Sequence, residues 1–374
     1  MRAPLWLSLV LLAACPFAGS AATPAISTPT AAPQRTAIAA DDPKIGYMGR
    51  IALTAAHARM GFPGVAVRFA YRGPAPVLRL TADNATCFFN LSCNGWDPVV
   101  LHLKAGANEI ALPTGVGPAE GRVIELVRRT ESWMGTASFD GLLLPAGCEL
   151  LPLPPFPERR LLFIGDSLTC GEYNERFPPE SDPTPRSTNA ARCYGMLLGR
   201  WLGAQVHLVA YGGRGITRDW AGKPVDNTLP GFFPLALPDD PTANWDHSRY
   251  QPDVVVINDG TDFDAGMPAE PAFTEAFAAF VQQVRAAYPK AWILLSESGF
   301  QSDGSDGRAR TERDHLLGVM RAVVARHAAA GDPKLRVIYT GFHPGTPADS
   351  HPVAFQHEQI ALDLLGPIRE VTGW

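Results

Sequence analysis

The sequence is modest in charge, holds only six cysteines, and is free of long apolar runs. Only 18% of its 374 residues are charged, the formal net charge is -5, and no cluster of Lys or Arg interrupts that balance. A nucleic-acid partner, which needs a basic face, is therefore not expected. There is no Cys-x-x-Cys and no His-Glu-x-x-His, so no zinc site is expected, and no spacing asks for any other cofactor. No internal repeat is visible. The longest apolar stretch near the start, Leu5 to Ala14, is too short to cross a bilayer. With Arg2 before it and small residues after it, residues 1–22 read as an export signal. Its processing has two readings. Gly19-Ser20-Ala21-Ala22 suits ordinary cleavage, whereas Leu12-Ala13-Ala14-Cys15 resembles a bacterial lipobox that would place a lipid on Cys15. Either way the expected location is secreted or periplasmic, with membrane contact only through such an anchor.

Outside the cytosol disulfides are permitted. Beyond Cys15 the chain holds Cys87, Cys93, Cys148, Cys170 and Cys193. A Cys170–Cys193 bridge would pin the loop between them, and Cys87–Cys93 would staple a short one. Buried free thiols are the alternative for both pairs.

Along the chain the pattern changes twice. Residues 23–41 are rich in Ala, Pro and Thr and read as a disordered linker. Residues 42–153 alternate with period two: Val65, Val67, Phe69 and Tyr71 against Ala66, Arg68, Ala70 and Arg72, then Val99, Leu101 and Leu103, then Arg122 to Arg129. Turn residues punctuate these runs, which predicts an all-β sandwich of jelly-roll type. A proline-rich boundary at Leu151 to Pro157 opens the region 154–374. There, strand candidates at Leu161–Ile164, Val206–Val209, Val254–Ile257, Trp292–Ser296 and Leu335–Tyr339 alternate with helix candidates at Ala190–Leu202, Pro271–Tyr288, Arg310–Ala330 and Val353–Val371. Alternating β and α units predict a parallel sheet covered on both faces. Phe273, Phe277, Phe280, Val281 and Val284 form a core-facing helical stripe. Ile216 to Tyr250 reads as a long loop, and loops of that length are usually functional.

Four polar stretches fall at strand ends or before the last helix: Gly165-Asp166-Ser167, Gly212-Gly213-Arg214-Gly215, Gly260-Thr261-Asp262 and Asp349-Ser350-His351-Pro352. Open α/β sheets place their sites at the carboxyl ends of strands. A serine hydroxyl is a weak nucleophile until a base takes its proton, and an imidazole needs a carboxylate to orient it. Ser167, His351 and Asp349 supply those groups. Gly213 allows a backbone N–H to face a substrate with no Cβ in the way. Asp166 reads as a brace for the turn, and His357 as a structural residue of the last helix.

These stretches carry a resemblance. Glu125-Leu-Val-Arg-Arg-Thr130, Gly135-Thr-Ala-Ser-Phe139, Glu158-Arg-Arg160 leading into Phe163-Ile-Gly-Asp-Ser-Leu-Thr-Cys-Gly171, Gly213-Arg-Gly215, Trp245-Asp246, Gln251-Pro-Asp-Val-Val-Val-Ile-Asn258 and His351-Pro352 stand in an order and spacing that resembles carbohydrate esterase family 2 of the SGNH (GDSL) hydrolases. The resemblance implies an all-β jelly roll followed by an SGNH domain of flavodoxin-like three-layer α/β/α form. It implies a secreted acetyl esterase, without cofactor, acting on acetylated plant polysaccharide or oligosaccharide through a Ser-His-(Asp) acyl-enzyme mechanism. Ser167 would be the nucleophile, His351 the general base and Asp349 its carboxylate partner. The oxyanion hole would use Ser167, Gly213 and the position of Asp262. Arg214, Trp220 and Trp245 are candidates for sugar contact, with loop packing as the alternative.

One departure stands out: Asp262 occupies the place of a family asparagine whose amide would donate to the oxyanion. An ionised carboxylate only accepts. Asp262 is then a neutral acid that donates, a side chain turned away, or an impairment. The second is expected, because a loop shorter by one residue moves the side chain. Two other functions remain open. One is a glycan-binding protein with a weak or inactive SGNH domain. The other is an esterase for lipid or bacterial-glycan esters.

Overall fold

The computed structural model of the chain describes residues 35–112, 121–297 and 299–374. The expected export signal, Cys15 and most of the expected linker lie outside these residues. The linker's last part is a correction: Arg35–Ile38 forms strand β1, pairing antiparallel with Leu142–Pro145. Thr36 and Ile38 suit a strand, and the pairing satisfies backbone groups along a sheet edge that composition does not reveal.

The amino-terminal strands continue as β2 (Ile45–Met48), β3 (Ala52–Leu53), β4 (Ala58–Met60), β5 (Ala66–Arg72), β6 (Val77–Ala82), β7 (Phe88–Cys93), β8 (Val99–His102), β9 (Gly106–Ala111), β10 (Arg122–Arg128), β11 (Ala137–Pro145) and β12 (Glu149–Leu151). They form two antiparallel sheets. One runs β3-β4-β11-β6-β9 with β1 also on β11, and the other β12-β5-β10-β7-β8 with β2 also on β5. Between them lie the inward members of the period-two pattern, including Val67, Phe69, Leu78, Leu80, Phe89 and Phe139, all buried. The other face of β5 is not solvated as alternation alone would have it. Ala66, and Val127 on β10, are buried against Phe163, Met196 and Leu208. The small Ala66 lets the sandwich lie directly on the second half of the molecule.

That half holds β13 (Arg159–Gly165), α1 (Ser167–Cys170), α2 (Tyr194–Leu202), β14 (Ala204–Ala210), α3 (Leu229–Phe232), β15 (Val254–Asp259), α4 (Glu270–Ala287), β16 (Trp292–Glu297), α5 (Thr311–Ala329), β17 (Leu335–Ile338) and α6 (Ala354–Thr372). Five parallel strands are ordered β14-β13-β15-β16-β17. The central strands β13, β15 and β16 are buried on both sides along most of their length, as βαβ connections require, while the edge strand β17 leaves Arg336 exposed. Leu161, Phe163 and Leu208 face α2 and α6, where Leu198, Ile360 and Leu364 meet them. Leu162, Ile164 and Ile257 face α4 and α5, where the Phe273, Phe277 and Phe280 stripe and Met320 meet them. The order reverses at β13, so its carboxyl end opens on the crevice between β14 and β15. Ser167 follows that end directly.

The stretch after β10 joins the two halves. Arg128 is fully buried and donates to the carbonyls of Met60 (2.8 Å), Thr130 (3.0 Å), Glu131 (2.9 Å) and Gly135. Arg129 donates to Asn90 Oδ1 at 2.7 Å and pairs with Glu175 of the parallel-sheet half. Ser132 Oγ donates to the Ala210 carbonyl at 2.7 Å, at the end of β14. Replacing Arg128 with Met leaves four carbonyls without their donor, and each orphaned buried group costs about 1–3 kcal/mol. Arg128→Met is expected to lower unfolding free energy by about 3 kcal/mol or more in urea titration; a loss under about 1 kcal/mol would show that these bonds do not hold the joint.

Candidate active site

Glycine and aspartate shape the turn after β13. A Cβ on Gly165 would lie 2.2 Å from Thr169 Oγ1 and 2.5 Å from the Asn258 carbonyl, so only glycine fits between β13 and β15. Asp166 caps α1 by accepting from the Leu168 N–H at 3.1 Å. Its other oxygen accepts from the Gly260 N–H (3.0 Å) and Thr261 Oγ1 (3.1 Å). Asp166 thus ties the turn carrying Ser167 to the turn after β15, which is the bracing role expected of it. Burial raises its pKa, and the three donors only partly oppose that shift.

His351 comes from the loop before α6. Its Nε2 lies 2.9 Å from Ser167 Oγ, and its Nδ1 lies 2.6 Å from Asp349 Oδ1. The same carboxylate oxygen accepts from the His351 N–H at 2.7 Å, which the Asp-x-His spacing makes possible. Behind it, the buried Arg176 pairs with Asp349 at 3.1 Å and donates to the carbonyls of His351 (3.0 Å) and Asp349 (3.2 Å). Burial of the imidazole disfavours its cation, but the Asp349 hydrogen bond and the charges of Glu172 and Asp349 outweigh this and raise its pKa. Burial opposes the ionisation of Asp349, and the bonds from His351 and the charge of Arg176 reverse the effect, so its pKa is lowered. An imidazole so held takes a proton from a hydroxyl at hydrogen-bond distance.

A cavity of about 510 Å³ opens over this pair, lined by Ser167, His351, Gly213, Arg214 and Trp220 together with Trp133, Glu172, Tyr211 and Asp264. Gly213 has φ of +67°, and a Cβ there would lie 2.7 Å from Trp220 Cδ1. The Gly212 N–H is already donated to Glu131 Oε2 at 2.9 Å. Arg214 donates from Nε to Asn227 Oδ1 at 2.8 Å and stacks over Tyr211. Trp133 and Trp220 stand exposed at the rim, 45% and 62% accessible.

The oxyanion-hole assignment of Asp262, the sugar-contact assignment of Trp245 and the reading of Ile216 to Tyr250 as one long loop need correction; that Asp262 is turned away is as expected. Asp262 does not face the cavity: its carboxylate accepts from the backbone N–H groups of Ile216 and Thr217 (the latter 3.1 Å) and from Thr217 Oγ1. As an acceptor already occupied, it gives no donor to an oxyanion hole, and it anchors the loop after Gly215 instead. Trp245 is buried against Arg50 (5.5 Å) and His207 (5.8 Å), so it packs the core rather than a sugar. The Ile216–Tyr250 segment is accordingly not structureless. It contains α3 and buries Phe232 and Phe233, and only its first part reaches the cavity. Cys170 and Cys193 are buried free thiols, and Cys87 is likewise free, so of the two alternatives the free thiol holds at both pairs. His357 is buried on α6, stacked on Tyr194 and accepting that residue's N–H at 3.3 Å. Burial lowers its pKa to about 3.

Sequence reasoning missed Trp133, Glu172, Arg176, Tyr211 and Asp264. Glu172 and Arg176 lie within ten residues of Ser167, a signal that proximity alone offered. Trp133 comes from the sandwich, and only the three-dimensional joint brings it here.

Comparison with known proteins agrees with this architecture. Residues 47–154 match the family described as Carbohydrate esterase 2 N-terminal, and residues 163–357 match the GDSL-like Lipase/Acylhydrolase family. An acetylxylan esterase / glucomannan deacetylase of Cellvibrio japonicus (strain Ueda107) is 33% identical over 345 residues, covering 90% of this chain and 91% of that protein. A solved family two carbohydrate esterase from Cellvibrio japonicus superposes with a TM-score of 0.84 at 30% identity, covering 91% of this chain and 99% of the other. A family two carbohydrate esterase from Clostridium thermocellum, solved in complex with cellohexaose, superposes with a TM-score of 0.80 at 27% identity, covering 88% and 99%. With an antiparallel sandwich joined to a GDSL-type parallel sheet, and with relatives matched over nearly its whole described length, the chain belongs to carbohydrate esterase family 2 and is a carboxylic ester hydrolase.

Proposed function

We propose that the chain removes acetyl groups from acetylated plant polysaccharide or oligosaccharide outside the cytosol, through an acetyl-enzyme on Ser167. The observation that carries this reading is the 2.9 Å contact between Ser167 Oγ and His351 Nε2, with Asp349 on the opposite ring nitrogen. His351 takes the serine proton as Oγ attacks the acetyl carbonyl, and Asp349 stabilises the imidazolium. The N–H groups of Ser167 and Gly213 receive the oxyanion. His351 then gives its proton to the departing sugar oxygen, and water repeats the sequence to release acetate.

The relatives' names, acetylxylan esterase and glucomannan deacetylase, and the relative solved in complex with cellohexaose support this substrate class. Trp133 and Trp220 at the rim present faces on which a sugar ring stacks, while Arg214, Glu172 and Asp264 bring polar groups into the cavity. A lipid esterase would want an apolar acyl channel there. Residues 1–22 support export, and a lipid on Cys15 is the alternative to ordinary cleavage.

Hydrolysis of p-nitrophenyl acetate, and acetate release from acetylated xylan, test the reading. Ser167→Ala and His351→Ala are each expected to lose on the order of 10⁴-fold or more in kcat, because such groups act as a unit. His357→Ala should keep most of its activity. A dead His357 variant beside an active His351 variant would refute the base assignment. A Ser167→Ala enzyme as active as the parent would refute the mechanism.

The pH profile follows from the raised His351 pKa. The base works only when neutral, so kcat/KM should rise with pH through an apparent pKa above 6.5. Removing the charge that holds the proton on should lower that pKa. Asp349→Asn is therefore expected to move the acid limb to lower pH while the plateau falls, by less than in His351→Ala. An acid limb that stays in place would mean that Asp349 does not govern the imidazole.

Asp262→Asn replaces one of two accepting oxygens with a donor that faces the Ile216 N–H. We expect a stability loss of about 1–2 kcal/mol and a modest fall in kcat/KM, tracking the loop that carries Gly213 and Trp220. A rise in the acetate-ester rate would place this side chain at the oxyanion after all.

A further inference from the structure

Glu172 is a buried carboxyl group for which the mechanism above has no use. It follows α1 directly, its N–H is donated to the Ser167 carbonyl at 3.1 Å, and its side chain is 8% exposed. Oε2 lies 3.7 Å from His351 Nε2, the nitrogen that also faces Ser167 Oγ, and it forms part of the cavity wall. Its position is fixed from behind. A Cβ on Gly212 would lie 2.4 Å from Glu131 Oε1 and 2.7 Å from Glu172 Oε2, so the two carboxyl groups close around a glycine that leaves them room. Two atoms 3.7 Å apart both fall within hydrogen-bond reach of one oxygen placed between them.

In the second half of the reaction that oxygen is water. We propose that Glu172 holds the water that hydrolyses the acetyl-enzyme, accepting at Oε2 the water hydrogen that His351 does not take. The proposal rests on the acetyl-esterase reading and assigns a further residue within it. The water oxygen bonds to the acetyl carbon as one of its protons passes to His351 Nε2. The bond from carbon to Ser167 Oγ then breaks, and Nε2 returns that proton to Oγ. The second water proton, held at Glu172, leaves on the acetic acid. A sugar oxygen departing in the first half has no second hydrogen to give, so the contact belongs to the water step.

The surroundings of Glu172 suit this role. Burial, then the charge of Glu131, pushes its carboxyl well above the usual range. Glu131 is itself pushed up to about 7 by burial, and its Oε2 accepts the Gly212 N–H at 2.9 Å. In either protonation state the carboxyl accepts through an oxygen.

The test is rapid-mixing kinetics with p-nitrophenyl acetate on the full chain, together with intact-protein mass spectrometry of the quenched enzyme. In Glu172→Ala the expected result is a fall in kcat of about 10²-fold, the scale of a misplaced reactant. KM should fall in parallel and kcat/KM stay unchanged, with a burst of p-nitrophenolate and an acetyl adduct on Ser167. Glu172→Gln keeps an accepting oxygen and should deacylate at close to the parent rate. A purely structural role would lower kcat and kcat/KM together with no adduct, and that result overturns the proposal. So does a Gln variant that accumulates acetyl-enzyme as the Ala variant does, or an Ala variant with parent kinetics. Failure of the esterase reading looks different: the parent enzyme itself would show no turnover dependent on Ser167.

Discussion

The 2.9 Å contact between Ser167 and His351 joins residues 184 apart in the chain, and each side is held separately. On the serine side, Asp166 fixes the turn after β13 to the turn after β15, so the hydroxyl position is that of the sheet itself. On the histidine side, the loop before α6 has no regular structure to hold it. Arg176 does so by binding the carboxylate of Asp349 and the carbonyls of Asp349 and His351. Arg176 lies on the loop that follows α1, whose first residue is Ser167. Ser167 and the support for His351 therefore share one segment, and a shift of that segment carries both together.

The second constraint is negative charge. Asp166, Glu131, Glu172, Asp259 and Asp262 are all buried near the cavity, and an acyl-transfer site that builds an oxyanion tolerates few ionised neighbours. Together with the part-buried Asp349, these acids fall into three groups. Asp349, beside Arg176 and His351, is lowered. Glu131, Glu172, Asp166 and Asp259 are raised, each chiefly by burial. Asp262 is turned to the Ile216 and Thr217 N–H groups, where a carboxylate serves as a loop anchor. Asp262 thus serves the architecture of the loop after Gly215.

Much of this was legible in the sequence because it is written in local patterns. Short apolar runs ending in Gly-Asp-Ser or Gly-Thr-Asp gave β13 and β15, and the spacing of Phe273, Phe277 and Phe280 gave the buried face of α4. The period-two runs gave the sandwich strands, and the Asp-x-His spacing gave the Asp349–His351 pair. What failed depended on distant partners. Whether Trp245 faces solvent is decided by Arg50, which arrives from the sandwich. Whether Asp262 faces the cavity is decided by the backbone at Ile216 and Thr217. Ala66 reads as an outward residue until the SGNH half covers it. Trp133 and Glu131 belong to the site only because the end of β10 reaches across to β14.

The claim on which the rest depends is that Ser167 is activated by His351. Labelling with a small alkyl phosphonate ester, followed by peptide mapping, tests it without reference to any substrate. The account predicts a single covalent label, on Ser167, forming at a rate that rises with pH as His351 loses its proton and that collapses in His351→Ala. A label on another residue, or labelling of Ser167 at an undiminished rate without His351, would contradict it.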